Sequence, residues 1–87
     1  MSFVLEQNYP NPFNPATTIK FRILKSDFVS LSVYDLLGRK VSRLIHDELN
    51  EGERTVVWNA DDASAGIYFY SLRIDQSMQT KKMILMK

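Results

Sequence analysis

Phe28-Val29-Ser30-Leu31-Ser32-Val33-Tyr34, followed at once by Asp35-Leu36-Leu37-Gly38-Arg39, is the stretch that decides how this chain folds. Val29, Leu31 and Val33 alternate with Ser30 and Ser32, the period of two of a half-buried strand. Gly38 stands where a type I turn needs a following left-handed residue. The chain from Arg39 to Ile45 then supplies a return strand, so residues 29–34 and 40–45 are predicted to form a hairpin.

The same period extends outward in both directions. Upstream, Ile19, Phe21 and Ile23 share one face of a strand over 17–23, with Thr18, Lys20 and Arg22 on the other. Downstream, 53–59 places Val56 and Trp58 on one face, 67–74 is dense in aromatics, and 78–86 closes the chain. Polar or glycine-bearing stretches separate these runs: 46–52, 59–66 and Asp75-Gln76-Ser77. Apolar spacing is two nearly everywhere, and only 42–49 could hold a turn of helix. Six to seven short strands without βα alternation give an all-β antiparallel sandwich or barrel, with Trp58 expected at the centre of its core.

Ahead of the strands lies Asn8-Tyr9-Pro10-Asn11-Pro12-Phe13-Asn14-Pro15. The prolines remove three backbone donors and push the residues before them out of the α region. This segment must be extended or turning, with Phe13, and secondarily Tyr9, as apolar anchors between the prolines. Each X-Pro bond carries a prior of about 5% for the cis form.

Composition bounds the function classes. The 87 residues allow one domain spanning 1–87, of which Met1 and Ser2 read as appended residues. Eleven basic residues against ten acidic ones leave a net charge of +1, which offers no field to hold nucleic acid or an anionic surface. The absence of cysteine removes disulfides and thiolate metal sites. No apolar run approaches the roughly 20 residues needed to span a bilayer. The N-terminus lacks the basic and apolar regions of a signal peptide.

Catalytic constellations are missing, so no enzyme activity and no cofactor are expected. His46 is the single histidine and reads as a solvated loop residue. Gly38, Gly52 and Gly66 stand too far apart to cradle a phosphate. Asn59, Asp61 and Asp62 could offer oxygen ligands to Ca²⁺, but turn chemistry accounts for them better because the D-x-D-x-D-G spacing is absent. Tyr68 and Tyr70 share one strand face. Exposed, they would form a sugar-stacking row; covered by the sandwich, they are core residues, and the covered reading is preferred.

Four motifs in order resemble a known family: the proline segment 8–15; Val33-Tyr34-Asp35-Leu36-Leu37-Gly38-Arg39-Lys40-Val41 followed by Trp58; Ser64-Ala65-Gly66-Ile67-Tyr68-Phe69-Tyr70; and the closing Lys82-Met83-Ile84-Leu85-Met86-Lys87. Together they are similar to the type A C-terminal sorting domain of the type IX (Por) secretion system. That family is related to the immunoglobulin-like domain of a flagellar hook-capping protein, so the resemblance implies an immunoglobulin-like β-sandwich.

The resemblance further implies a non-catalytic address at the end of a cargo protein. A separate signal peptide carries the cargo to the periplasm, and the outer-membrane translocon reads the folded domain. A sortase-like peptidase then removes it, leaving the cargo on the cell surface or secreted. Carried over by position, recognition falls on Gly66, Tyr68, Tyr70, Lys82, Met86 and Lys87. Asn11, Pro12, Phe13, Asn14 and Pro15, with Asp35, Gly38, Arg39 and Trp58, match motifs of structural character. Met86 departs from the commoner β-branched residue before the last lysine. A different class remains open: an accessory carbohydrate-binding or spacer module of a secreted enzyme.

Overall fold

The computed structural model describes residues 3–87, and the expectation for Met1 and Ser2 lies outside those described residues. Seven strands follow in order: β1 (Phe3–Leu5), β2 (Ala16–Ile23), β3 (Asp27–Tyr34), β4 (Lys40–Leu49), β5 (Gly52–Asn59), β6 (Gly66–Ile74) and β7 (Ser77–Leu85). They build two antiparallel sheets, ordered β1-β2-β5 and β4-β3-β6-β7. This is the immunoglobulin-like arrangement, with β4 added beside β3 at the edge of the larger sheet.

The inward faces are those that alternation selects. Ile19, Phe21 and Ile23 of β2 meet Val29, Leu31 and Val33 of β3 and Tyr70, Leu72 and Ile74 of β6, all buried. Gly38 occupies the left-handed region at φ 83°, as the predicted turn requires.

Several expectations need correction. The stretch 46–52 is not a polar connection, because β4 runs on to Leu49 and leaves only Asn50 and Glu51 between strands. β3 begins at Asp27 and keeps offering partners, pairing Asp27 with Leu49 and Ser30 with His46. At a sheet edge the polar side chains of β4 remain in water while Leu44, Ile45 and Leu49 reach the core margin. The turn of helix allowed over 42–49 is instead a strand whose register shifts opposite Leu31 and Ser32, a β-bulge. Strand β1 was not foreseen. All three X-Pro bonds, at Pro10, Pro12 and Pro15, are cis.

Trp58 is buried but does not mark the centre. It sits one residue from the end of β5 and closes one end of the core, between Phe13 at 5.8 Å and Tyr68 at 5.4 Å between ring centroids. Tyr70 is the largest side chain among those wholly sealed from solvent.

Candidate recognition site at the closing hairpin

Tandem strands β6 and β7 gather the expected recognition residues. Their register sets Gly66 opposite Leu85, Tyr68 opposite Met83 and Phe69 opposite Lys82. Alternation then divides them. Tyr68 and Tyr70 point into the core and are 7% and 0% exposed, whereas Lys82, Met86 and Lys87 are exposed. The two tyrosines therefore present no sugar-stacking row, and the carbohydrate-binding alternative loses its best residues. Their hydroxyls are also engaged: Tyr68 donates to the Ser64 carbonyl at 2.6 Å and Tyr70 to the Glu6 carbonyl at 2.7 Å. Burial pushes the Tyr70 hydroxyl up to about 12, opposed by a backbone hydrogen bond at Asn8.

The proline segment is a partner of the closing strand. Phe13 forms a parallel bridge with Leu85. Its amide donates to the Ile84 carbonyl at 3.0 Å, and its carbonyl accepts from the Met86 amide at 2.9 Å. The side-chain oxygen of Asn11 accepts from the Ile84 amide, and the Gln7 amide group donates to the Lys82 carbonyl. With prolines on either side, this stretch cannot extend into a regular ladder. It closes the outer edge of β7 from Lys82 to Met86. Behind it lies a buried polar cluster: Asn8 donates to Thr17 Oγ1 at 2.9 Å, and Thr17 donates to the Pro10 carbonyl at 2.9 Å. Sequence reasoning passed over Gln7 and gave Asn8, quoted in the proline motif, and Thr17, placed on a strand, no such contacts, since a lone amide or hydroxyl carries no periodic signal.

The β3–β4 turn is held by one carboxylate. Asp35 Oδ1 accepts from the amides of Leu37 and Arg39, each at 2.9 Å, while Oδ2 meets Arg39 Nε at 2.8 Å. The Gly38 amide donates to the Asp35 carbonyl and the Asp35 amide to the Arg39 carbonyl. The Arg39 backbone hydrogen bond, ahead of the guanidinium, holds the Asp35 carboxyl below its ordinary value. This turn borders a hollow of about 210 Å³ shared with Gly66 and Ile67, so two motifs distant in sequence lie at one end of the sandwich.

The remaining candidates are structural in their contacts. Asn59 Oδ1 accepts from the Asp61 amide at 3.0 Å, the turn geometry that competes with the calcium reading. Lys87 Nζ donates to the Asp61 carbonyl at 2.9 Å, tying the last residue to that loop. His46 lies on β4 with its ring edge-on to Phe28 at 4.9 Å. The outer face of the closing hairpin also carries Ile67, Phe69 and Ile84, which sequence reasoning did not single out. Their alternation with Tyr68, Tyr70, Met83 and Leu85 was the available signal.

The family model described as "Secretion system C-terminal sorting domain" matches residues 7–86. Among solved structures, the chain is similar to dimeric latent PorU from Porphyromonas gingivalis, with a TM-score of 0.73 and 19% identity over 98% of this chain and 9% of that one. It is also similar to PorZ, described as an essential surface component of the type-IX secretion system of the same organism, with a TM-score of 0.66, 22% identity and coverage of 93% and 11%. The chain thus spans about a tenth of the length of either, and at these identities the likeness speaks for the fold. No curated protein matches the sequence significantly.

Proposed function

Because the chain belongs to the secretion system C-terminal sorting domain family, whose role is sorting in type IX secretion, we propose that its closing hairpin is the address by which a cargo is recognised. The observation that carries this reading is the division of labour on β6 and β7. Tyr68 and Tyr70 fix the hairpin from within, while Gly66, Lys82, Met86 and Lys87 stand at or near the surface of one end. An address read by a large partner needs an ordered surface rather than a pocket, and the Phe13 contacts order the end of β7. In this reading the outer-membrane translocon engages that surface. A sortase-like peptidase then releases the domain and leaves the cargo at the cell surface or in the medium.

The test is an export assay in a bacterium with this secretion system. A signal peptide, a reporter and residues 3–87 are fused, and reporter is measured in periplasm, surface and medium. Removing 82–87 is a poor control, because Met83 and Leu85 are core residues and Phe13 depends on Ile84 and Met86. The better control is Lys82→Glu with Lys87→Glu, which changes exposed side chains. Export of the parent fusion, with the variant folded but held in the periplasm, supports the reading. Retention of a folded parent fusion refutes it, and equal export of both refutes recognition through these lysines.

A further inference from the structure

The outer edge of β7 is only half closed. In this strand the even-numbered residues direct their backbone groups away from β6, as the bonds of Ile84 and Met86 to Asn11 and Phe13 show. The closure stops at the Lys82 carbonyl, which Gln7 occupies. Below it, the amides and carbonyls of Met78 and Thr80 and the amide of Lys82 have no hydrogen-bond partner among the described residues. Other edges are blunted. β4 is bulged twice, β1 has three residues, and the Arg54 guanidinium covers carbonyls at the start of β5.

Beside the open stretch, the outer sheet face carries a mainly apolar hollow of about 340 Å³, lined by Tyr34, Leu36, Phe69, Ser71, Met78 and Thr80 and bordered at the β3–β4 turn by Asp35. Leu36 and Met78 are well exposed there. Two cations flank the edge. Arg73, opposite Met78, shares its other side with Asp27 and Asp75. Neither Arg73 nor Lys82 makes an ion pair among the described residues; Arg73 has those two carboxylates nearby, and Lys82 is the exposed cation at the end of the open stretch.

We propose that the open edge at Met78, Thr80 and Lys82 accepts an extended peptide segment of a partner protein as an added β-strand, with an apolar side chain on the Met78 hollow and a carboxylate at Lys82. Backbone pairing supplies affinity in such strand addition, and alternate side chains supply specificity. The inference deepens the sorting reading and rests on it for its biological setting, but the binding itself can be measured apart from export.

The probe is an acetylated and amidated peptide of alternating valine and threonine with aspartate at both ends, titrated into the ¹⁵N-labelled 87-residue chain. Expected are saturable shifts at 78–82 and at the hollow residues Tyr34, Leu36, Phe69 and Ser71, slowed deuterium exchange at the Thr80 and Lys82 amides, and at least tenfold weaker binding of the same peptide ending in lysine. Lys82→Glu should reverse that charge preference. Thr80→Pro removes an outward-facing amide and should abolish binding; should it fail to fold, the Lys82→Glu reversal decides. No shifts up to millimolar peptide, shifts at β4 or β5, or perturbation of 78–82 that follows protein concentration alone would overturn the proposal, the last in favour of pairing between two copies. A domain that is exported but ignores the peptide refutes the edge site alone. One that binds the peptide but stays periplasmic refutes the sorting reading alone.

Discussion

Phe13 and Leu85 face each other across a parallel bridge, although 72 positions of sequence separate them, and the Phe13 ring is buried against Trp58 on the same side. One residue thereby joins the proline segment, the end of β5 and the closing strand. Phe13→Ala should cost about 3–5 kcal/mol through the cavity it leaves. It should also accelerate deuterium exchange at the Met86 amide, whose acceptor is the Phe13 carbonyl. Asn11→Ala removes only the acceptor of the Ile84 amide at an exposed position, and should cost about 1 kcal/mol. Equal losses from the two variants, read by chemical denaturation, would mean that the ring does not anchor the segment.

The Asp35 turn makes a prediction with a sign. The folded-state carboxyl lies below its ordinary value, near 3.8, so the ionised form is favoured by folding. The contribution is therefore present above that value and is lost as pH falls through the lower, folded-state one. In Asp35→Asn the acid arm of the stability curve should be shallower, and its deficit against the parent should shrink as pH drops below about 4. Arg39→Ala should restore the carboxyl only part of the way, because the Arg39 amide, the largest cause, remains. Full restoration in a carboxyl NMR titration would assign the effect to the guanidinium instead.

Much of this architecture was legible because alternation depends on one physical fact, that each strand buries one face. Val29, Leu31 and Val33, and equally Ile19, Phe21 and Ile23, could be placed inward without knowing their neighbours. Residues 46–49 escaped because an edge strand lets polar side chains face water on both sides, so nothing distinguishes it from a loop. Phe3–Leu5 escaped because three residues carry no periodicity. At the closing hairpin, the motif residues were visible as a set. Their division into core and surface was legible in part: the covered reading of Tyr68 and Tyr70 was the preferred one and is what the structure has, but alternation alone does not say which face of β6 turns inward. The role of Asn11 as an acceptor for β7 depends on tertiary placement, which no local pattern encodes.

Ser32 offers a test of the sheet interior. It lies in a row with Ser71, to which it is opposite in register, yet its hydroxyl is buried without a partner among the described residues. Ser71 instead pairs with Thr80 at 2.7 Å. An unbonded buried hydroxyl costs about 1–3 kcal/mol. Ser32→Ala should therefore leave stability unchanged or raise it, read as an increase in Tm. A drop of several degrees would show that the hydroxyl has a bonding partner.

Tyr70 gives the alkaline counterpart. Its hydroxyl is pushed up to about 12 chiefly by burial, so folding favours the protonated form. The contribution is fully present below about pH 10, where the unfolded phenol titrates, and is lost as pH rises from there through the folded-state value. Tyr70→Phe removes this dependence and also leaves the Glu6 carbonyl without its donor, which should cost about 1–3 kcal/mol at neutral pH. The stability gap between parent and variant should then narrow steadily above pH 10. A gap that stays constant to pH 12 would mean that Tyr70 ionises as readily in the folded chain as in the unfolded one, and that its burial does not hold the proton.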